Sequence, residues 1–224
     1  DLQTIQGGVT GERYHVTQAE HGAVQALPYT YTAGDTLYAS STSTLSKFAK
    51  PSANAFYTMG TSGVPAWKLP RYAAFDNTTN ATPAANTATA IPFNAPSISS
   101  GISRGTPTSR IVIDTAGLYN IQFSAQFTNT DAATDEVIFW LRVNGSDVAA
   151  TAGVAQVPPK HGSSPGATLV SWNYVYQLAA NDYIQLVWTT DTGDSVIATY
   201  PSGTSPVHPA SPGVILTATF VSAA

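Results

Sequence analysis

Four histidines, two acidic clusters and one Gly-x-Ser-x-Gly string are the residues of this chain whose types and spacing could do chemistry. Gly162-Ser163-Ser164-Pro165-Gly166 fits the pattern of a serine nucleophile presented on a strand-to-helix turn. That reaction needs amide donors beside the serine to receive the developing oxyanion, and Pro165, directly after Ser164, has no N–H to give. The string therefore reads as a loop. Of His15, His21, His161 and His208, only the first two lie close in sequence, and a zinc site needs a third and a fourth ligand. Asp131-Ala132-Ala133-Thr134-Asp135-Glu136 and Asp191-Thr192-Gly193-Asp194 offer oxygen ligands for calcium, but neither has the alternation of a calcium loop. No feature selects a carboxylate pair for glycoside hydrolysis. The expectation is a protein without catalytic residues, metal or cofactor.

Binding is the other chemistry on offer. The longest irregular stretches of the C-terminal half, 152–167 and 191–212, are rich in Gly, Pro, Ser and Thr and contain Lys160, His161, Asp194, Tyr200 and His208. These side chains can hydrogen-bond to or stack on a sugar, so they are the candidate sugar-binding residues. The same loops could equally serve only to cover the ends of a sandwich. The aromatic stripe Trp172, Tyr174 and Tyr176 reads as core or subunit interface, with a sugar-stacking platform as its alternative if the strand is exposed. Asn77-Thr78-Thr79, Asn80-Ala81-Thr82 and Asn144-Gly145-Ser146 are glycosylation sequons, and Asn144-Gly145 is better explained as a hairpin turn.

The elements that must carry these residues follow from composition. Only 10% of the 224 residues are charged, 9 Lys+Arg against 13 Asp+Glu, while 43% are hydrophobic and the aromatics number 11 Tyr, 8 Phe and 4 Trp. A core is affordable to such a chain; several charge-coated helices are not. Small uncharged residues, Thr and Ser among them, replace the missing charge and suit pleated strands. The scattered cations cannot neutralise a phosphate backbone, so nucleic acid is not an expected partner. The lack of cysteine excludes disulfides and thiol chemistry. No apolar run approaches the ~18 residues of a membrane span.

The expected fold class is all-β: an N-terminal extended or hairpin region over 1–70 with one short helix, followed by a two-sheet jelly-roll sandwich over 71–224. Thr17-Gln18-Ala19-Glu20 fits a capping box and predicts the helix. The stretch 29–70 is too thin to bury Leu37, Tyr38, Phe48, Phe56, Tyr57 and Trp67 alone and needs neighbouring chains. The low-complexity run Asn77 to Asn86 reads as a solvated loop. Tyr119, Ile121, Phe123, Ala125 and Phe127 alternate with polar residues and predict a strand with one dry face. Val137 to Val143, Val170 to Leu178, Ile184 to Trp188 and Val214 to Phe220 repeat the pattern. Tyr119, Phe123, Phe127, Trp172, Tyr174, Tyr176 and Phe220 are accordingly the expected core or subunit-interface residues.

Two stretches resemble known families. Gly117-Leu118-Tyr119-Asn120-Ile121-Gln122-Phe123 and Asn181-Asp182-Tyr183-Ile184-Gln185-Leu186 are similar to strands in the globular heads of the complement and tumour-necrosis-factor superfamily. That resemblance implies a ten-stranded jelly roll that assembles as a trimer through one sheet. Gly8 to Thr17, Gly34 to Ser40 and Leu45 to Lys50 resemble segments of tail fibres and other structural proteins of tailed bacteriophages. Together they imply a non-enzymatic virion protein assembled in the bacterial host cytoplasm. Its 1–70 region would attach to other virion proteins, and its homotrimeric head would contact the host surface; the alternative is a capsid decoration or collar protein that stabilises the particle. A chain opening on Asp1 is expected to be processed or part of a longer one.

Overall fold

The computed structural model describes residues 30–60 and 62–223. The chain divides into two compact units, the first ending at Lys68 and the second running Leu69–Ala224. The helix expected over Thr17–Glu20 lies outside the described residues; those described form strands, turns and loops, with no helix among them.

Two antiparallel hairpins make up the described part of the first unit: β1 (Thr36–Ala39) with β2 (Leu45–Phe48), and β3 (Phe56–Met59) with β4 (Pro65–Lys68). Aromatic rings join them, since Phe48 stacks on Trp67 at 5.0 Å and meets Tyr57 edge-on at 5.8 Å. The Trp67 indole N–H donates to Ala49 O. Asp35 closes the turn before β1 by accepting from the backbone N–H groups of Lys50 and Thr32, which hold its carboxyl below the usual range. This unit nevertheless has a single buried residue among those described, Pro65, while Leu37, Leu45, Phe56, Tyr57 and Met59 stay exposed.

The second unit consists of β5 (Tyr72–Asn77), β6 (Thr89–Ala90), β7 (Ile98–Ser100), β8 (Ile102–Arg104), β9 (Ile111–Ile113), β10 (Gly117–Asn129), β11 (Asp135–Val143), β12 (Ser146–Asp147), β13 (Gly153–Val157), β14 (Gly166–Leu178), β15 (Tyr183–Thr190), β16 (Ser195–Ile197), β17 (Gly203–Thr204), β18 (Val207–His208) and β19 (Val214–Ser222). A six-stranded sheet runs β14-β10-β19-β5-β7, with β16 on the end of β10. A seven-stranded sheet runs β12-β11-β15-β9-β8, with β13 on β11 and β6 on β15. Every pairing is antiparallel.

The period of two in the sequence decides which face is dry. On β10 the odd positions Tyr119 to Phe127 are buried, and on β11 Val137, Phe139 and Leu141. The two dry faces meet: Phe123 packs edge-on to Phe139 at 5.0 Å, and Phe127 lies 5.2 Å from Trp188 of β15. Tyr119, Phe123, Phe127 and Tyr174 sit in this core, Tyr176 and Phe220 are packed against its margin, and Trp172 is 49% exposed at the end of the Phe139 ring. Burial pushes the Tyr119 phenol up to about 12, aided by the Asp114 carboxylate, and its hydroxyl donates to Thr115 O. The hairpin between β11 and β12 turns on Asn144 (φ 50°) and Gly145 (φ 84°), the pair of left-handed residues that the Asn-Gly signal requires.

The run Asn77 to Asn86 is more tightly held than a solvated loop. Ala81 exchanges both backbone hydrogen bonds with Ile197, and Asn80 Oδ1 accepts from the Thr199 N–H and hydroxyl. Its first sequon is blocked, because Asn77 is buried and its side-chain amide donates to Pro92 O. Low complexity hides such pairing, since a backbone ladder needs no particular side chains.

Candidate functional site

Three connections gather at the end of the second unit where β10 finishes: 130–134, 158–165 and 191–194. Their gathering follows from register, since Asn129 pairs with Gly166 and with Ser195, and Asp135 with Val157. Two buried polar residues tie them down. Asn129 accepts from the Asp131 N–H and donates to Ala133 O and Val157 O. Asp135, 1% exposed, accepts from the Thr190 hydroxyl (2.9 Å), the Thr192 hydroxyl (2.8 Å) and N–H, and the Ser195 N–H (2.7 Å). Burial raises this carboxyl's pKa, but the Asp191 carboxyl and the donors from Ser195, Thr192 and Thr190 outweigh burial and hold it well below the usual range. The Thr190 hydroxyl in turn accepts from the Gly193 N–H, so the loop 191–194 is folded onto Asp135.

Lys160, His161 and Asp194 all stand at this end, exposed. The Lys160 N–H donates to Asp131 O, which binds two of the connections together, and His161 and Ser164 exchange backbone hydrogen bonds across a tight turn. Ser164 is thus a turn residue with no helix behind it. Gly166 is required here, because a Cβ at that position would stand 1.8 Å from Pro158 O. Tyr200 and His208 are elsewhere. They belong to an excursion between β16 and β19, in which Tyr200 pairs with Ser211 and β17 with β18. Gln126, on the wet face of β10, holds that excursion by donating to Ser211 Oγ and Pro212 O. The His208 ring lies across Gly203, with Nδ1 2.8 Å from Pro209 O. Register therefore separates the five candidate residues into two groups.

The sheet faces carry features that loop reasoning missed. The wet face of the six-stranded sheet shows Asn120, Gln122, Ser124, Ile215, Thr217, Leu169, Ser171, Asn173 and Val175, and Asp76 is its sole charged residue among those described. Shallow grooves follow it, one bounded by Gln122, Ser124, Ile215 and Thr217 and the next by Gln122, Ser171 and Asn173. The opposite face of the molecule differs in kind: Trp140, Arg142 and Asp147 form a hydrogen-bonded triad there, with the indole N–H and the Arg142 Nε–H both donating to Asp147 Oδ1 (2.6 and 2.7 Å). These donors lower the Asp147 pKa, Arg142 most. The signal for Asp135 was present in the sequence, as an acid in phase with Val137 and Phe139 on a dry face.

Among the described residues no three His, Asp or Glu side chains come together as a metal site, and no helix is long and apolar enough to cross a membrane. No family model matches this chain, and no curated protein matches it in sequence.

Proposed function

We propose that the chain is a structural protein of a tailed-bacteriophage virion, a tail-fibre or receptor-binding component assembled as a homotrimer in the host cytoplasm. The observation that carries this reading is the contrast between the units. The second has a full core, whereas among the described residues of the first only Pro65 is buried and Leu37, Leu45, Phe56, Tyr57 and Met59 stay exposed, an apolar surface that other chains would cover. Intertwined copies supply that cover, in keeping with the resemblance of Gly34 to Ser40 and Leu45 to Lys50 to fibre segments.

The head is best read as a jelly roll. Two antiparallel sheets of six and seven strands, facing each other across one core, support that reading. The wet face of the six-stranded sheet, with Asp76 as its sole charged residue among those described, is the surface through which copies would pack. Five strands about 4.8 Å apart and about nine residues long on average give roughly 700 Å² of sheet, comparable to the ~800 Å² per partner of a standard interface. A face made mostly of Gln, Asn, Thr and a few aliphatic residues loses little on desolvation away from Asp76. In this assembly the 1–70 region holds other virion proteins and the head presents its loops to host glycans, three weak sites acting together. Incubating host cells with the purified chain should block adsorption of the parent particle. Undiminished adsorption at saturating protein would refute the receptor-binding role.

A further inference from the structure

We infer that the outer face of the seven-stranded sheet holds a site for an acidic saccharide, centred on Arg110 and Arg142; this rests on the receptor-binding reading and adds the ligand class to it. The register builds the site as a row. Asp147 stands opposite Arg142, Arg142 opposite Gln185, and Arg110 precedes Ile111, whose partner is Ile184, so it falls beside Gln185. Val137, Phe139 and Leu141 point into the core, which turns Trp140 and Arg142 outward. Trp140 flanks the row on one side and Tyr183 on the other.

Arg110 is the residue that asks for a ligand. Its guanidinium lies 4.1 Å from the centroid of the Tyr183 ring and one Nη donates to Thr106 O, yet its Nε is buried without an acceptor. No carboxylate among the described residues pairs with it, in contrast to Arg71 with Asp114 and Arg142 with Asp147. The Nε is closed to any ligand by its burial, but a partly desolvated cation without a counter-charge is costly, and an anion at the accessible part of the guanidinium would supply one. The rest of the row is already fixed. Asp147 orients both the Trp140 indole and the Arg142 guanidinium, and the Gln185 amide is pinned by donating to Ser109 Oγ at 2.8 Å.

A carboxylate fits the planar guanidinium fork, and the C–H face of a sugar ring fits the flanking aromatic faces. The two arginines stand two strands apart, about 10 Å between backbones, so the row is wider than a single small anion needs. In a trimer packed through the six-stranded sheet this face is the one turned outward.

The test titrates the full chain with trigalacturonate, its methyl ester and sodium acetate, by calorimetry and by the shift of the Trp140 indole N–H resonance. Trigalacturonate should bind at least tenfold more tightly than the ester or acetate and should shift the Trp140 signal. Arg110→Gln should weaken that binding at least tenfold with an unchanged melting temperature, and Arg110→Lys should not restore it. If Arg110→Gln does not fold, the wild-type resonance decides, and an unmoved Trp140 signal with bound ligand overturns the site. Equal affinity for the ester, or acetate as tight as the saccharide, overturns it too. Adsorption blocked by the purified chain without trigalacturonate binding removes this site and leaves the receptor role; saccharide binding without any effect on adsorption does the reverse.

Discussion

Replacing Asp135 by Asn tests whether one buried carboxylate organises the loop end of the head. The carboxylate accepts from two threonine hydroxyls and two backbone N–H groups. Asparagine keeps one acceptor oxygen but sets an NH2 group in place of the other, against either the fully buried Ser195 N–H or the Thr190 and Thr192 donors. One unsatisfied buried donor costs about 1–3 kcal/mol, and the loss of charge weakens the remaining hydrogen bonds, so about 3 kcal/mol is expected. For a domain of this size that is a fall of roughly 6–12 °C in melting temperature by calorimetry. The dependence on pH has a definite sign. The folded-state pKa lies below that of the unfolded chain, so the contribution is full above about pH 4 and declines as pH falls toward the folded value. The gap between wild type and Asp135→Asn should be widest at neutral pH and narrow as pH falls below about 4. A fall under 2 °C, or a gap that widens on acidification, would refute the assignment.

Charge placed on the proposed subunit face should break the assembly: Gln122→Lys is expected to reduce the mass measured by light scattering to the 23.3 kDa of one chain. Gly166→Ala should lower stability by about 1–3 kcal/mol, because the atom it meets is the Pro158 backbone oxygen at 1.8 Å rather than a side chain that can rotate away; denaturant unfolding measures this. His161→Ala and Tyr200→Ala, tested separately in an adsorption assay, should each weaken host attachment with melting temperature and trimer mass unchanged, and a loss of the trimer would mark them as structural.

Alternation in the sequence told which side of β10, β11, β14 and β19 is dry, since a strand with one buried face repeats every two residues. It also placed Ile184, Leu186 and Trp188 of β15 in the core, but it did not show that Gln185 and Val187 on the other face are covered as well. The pairing of Ala81 with Ile197 was illegible for a different reason, because backbone ladders leave no trace in an Asn/Thr/Ala run. The candidate sugar-binding residues were chosen for loop position and chemistry, and register then divided Lys160, His161 and Asp194 from Tyr200 and His208. Arg110, Arg142 and Tyr183 escaped notice because their proximity depends on strand order, which periodicity does not contain. Asn144-Gly145 was legible because a left-handed pair is a local requirement.

The central claim, that this chain is a host-contacting part of a virion, is tested most directly by labelling intact particles with gold-conjugated antibody against residues 71–224 and imaging them by electron microscopy. Label should be confined to the fibres or tail tip, at the points where particles touch cells. Label spread over the capsid lattice or gathered at the collar would contradict it and establish a particle-stabilising role instead.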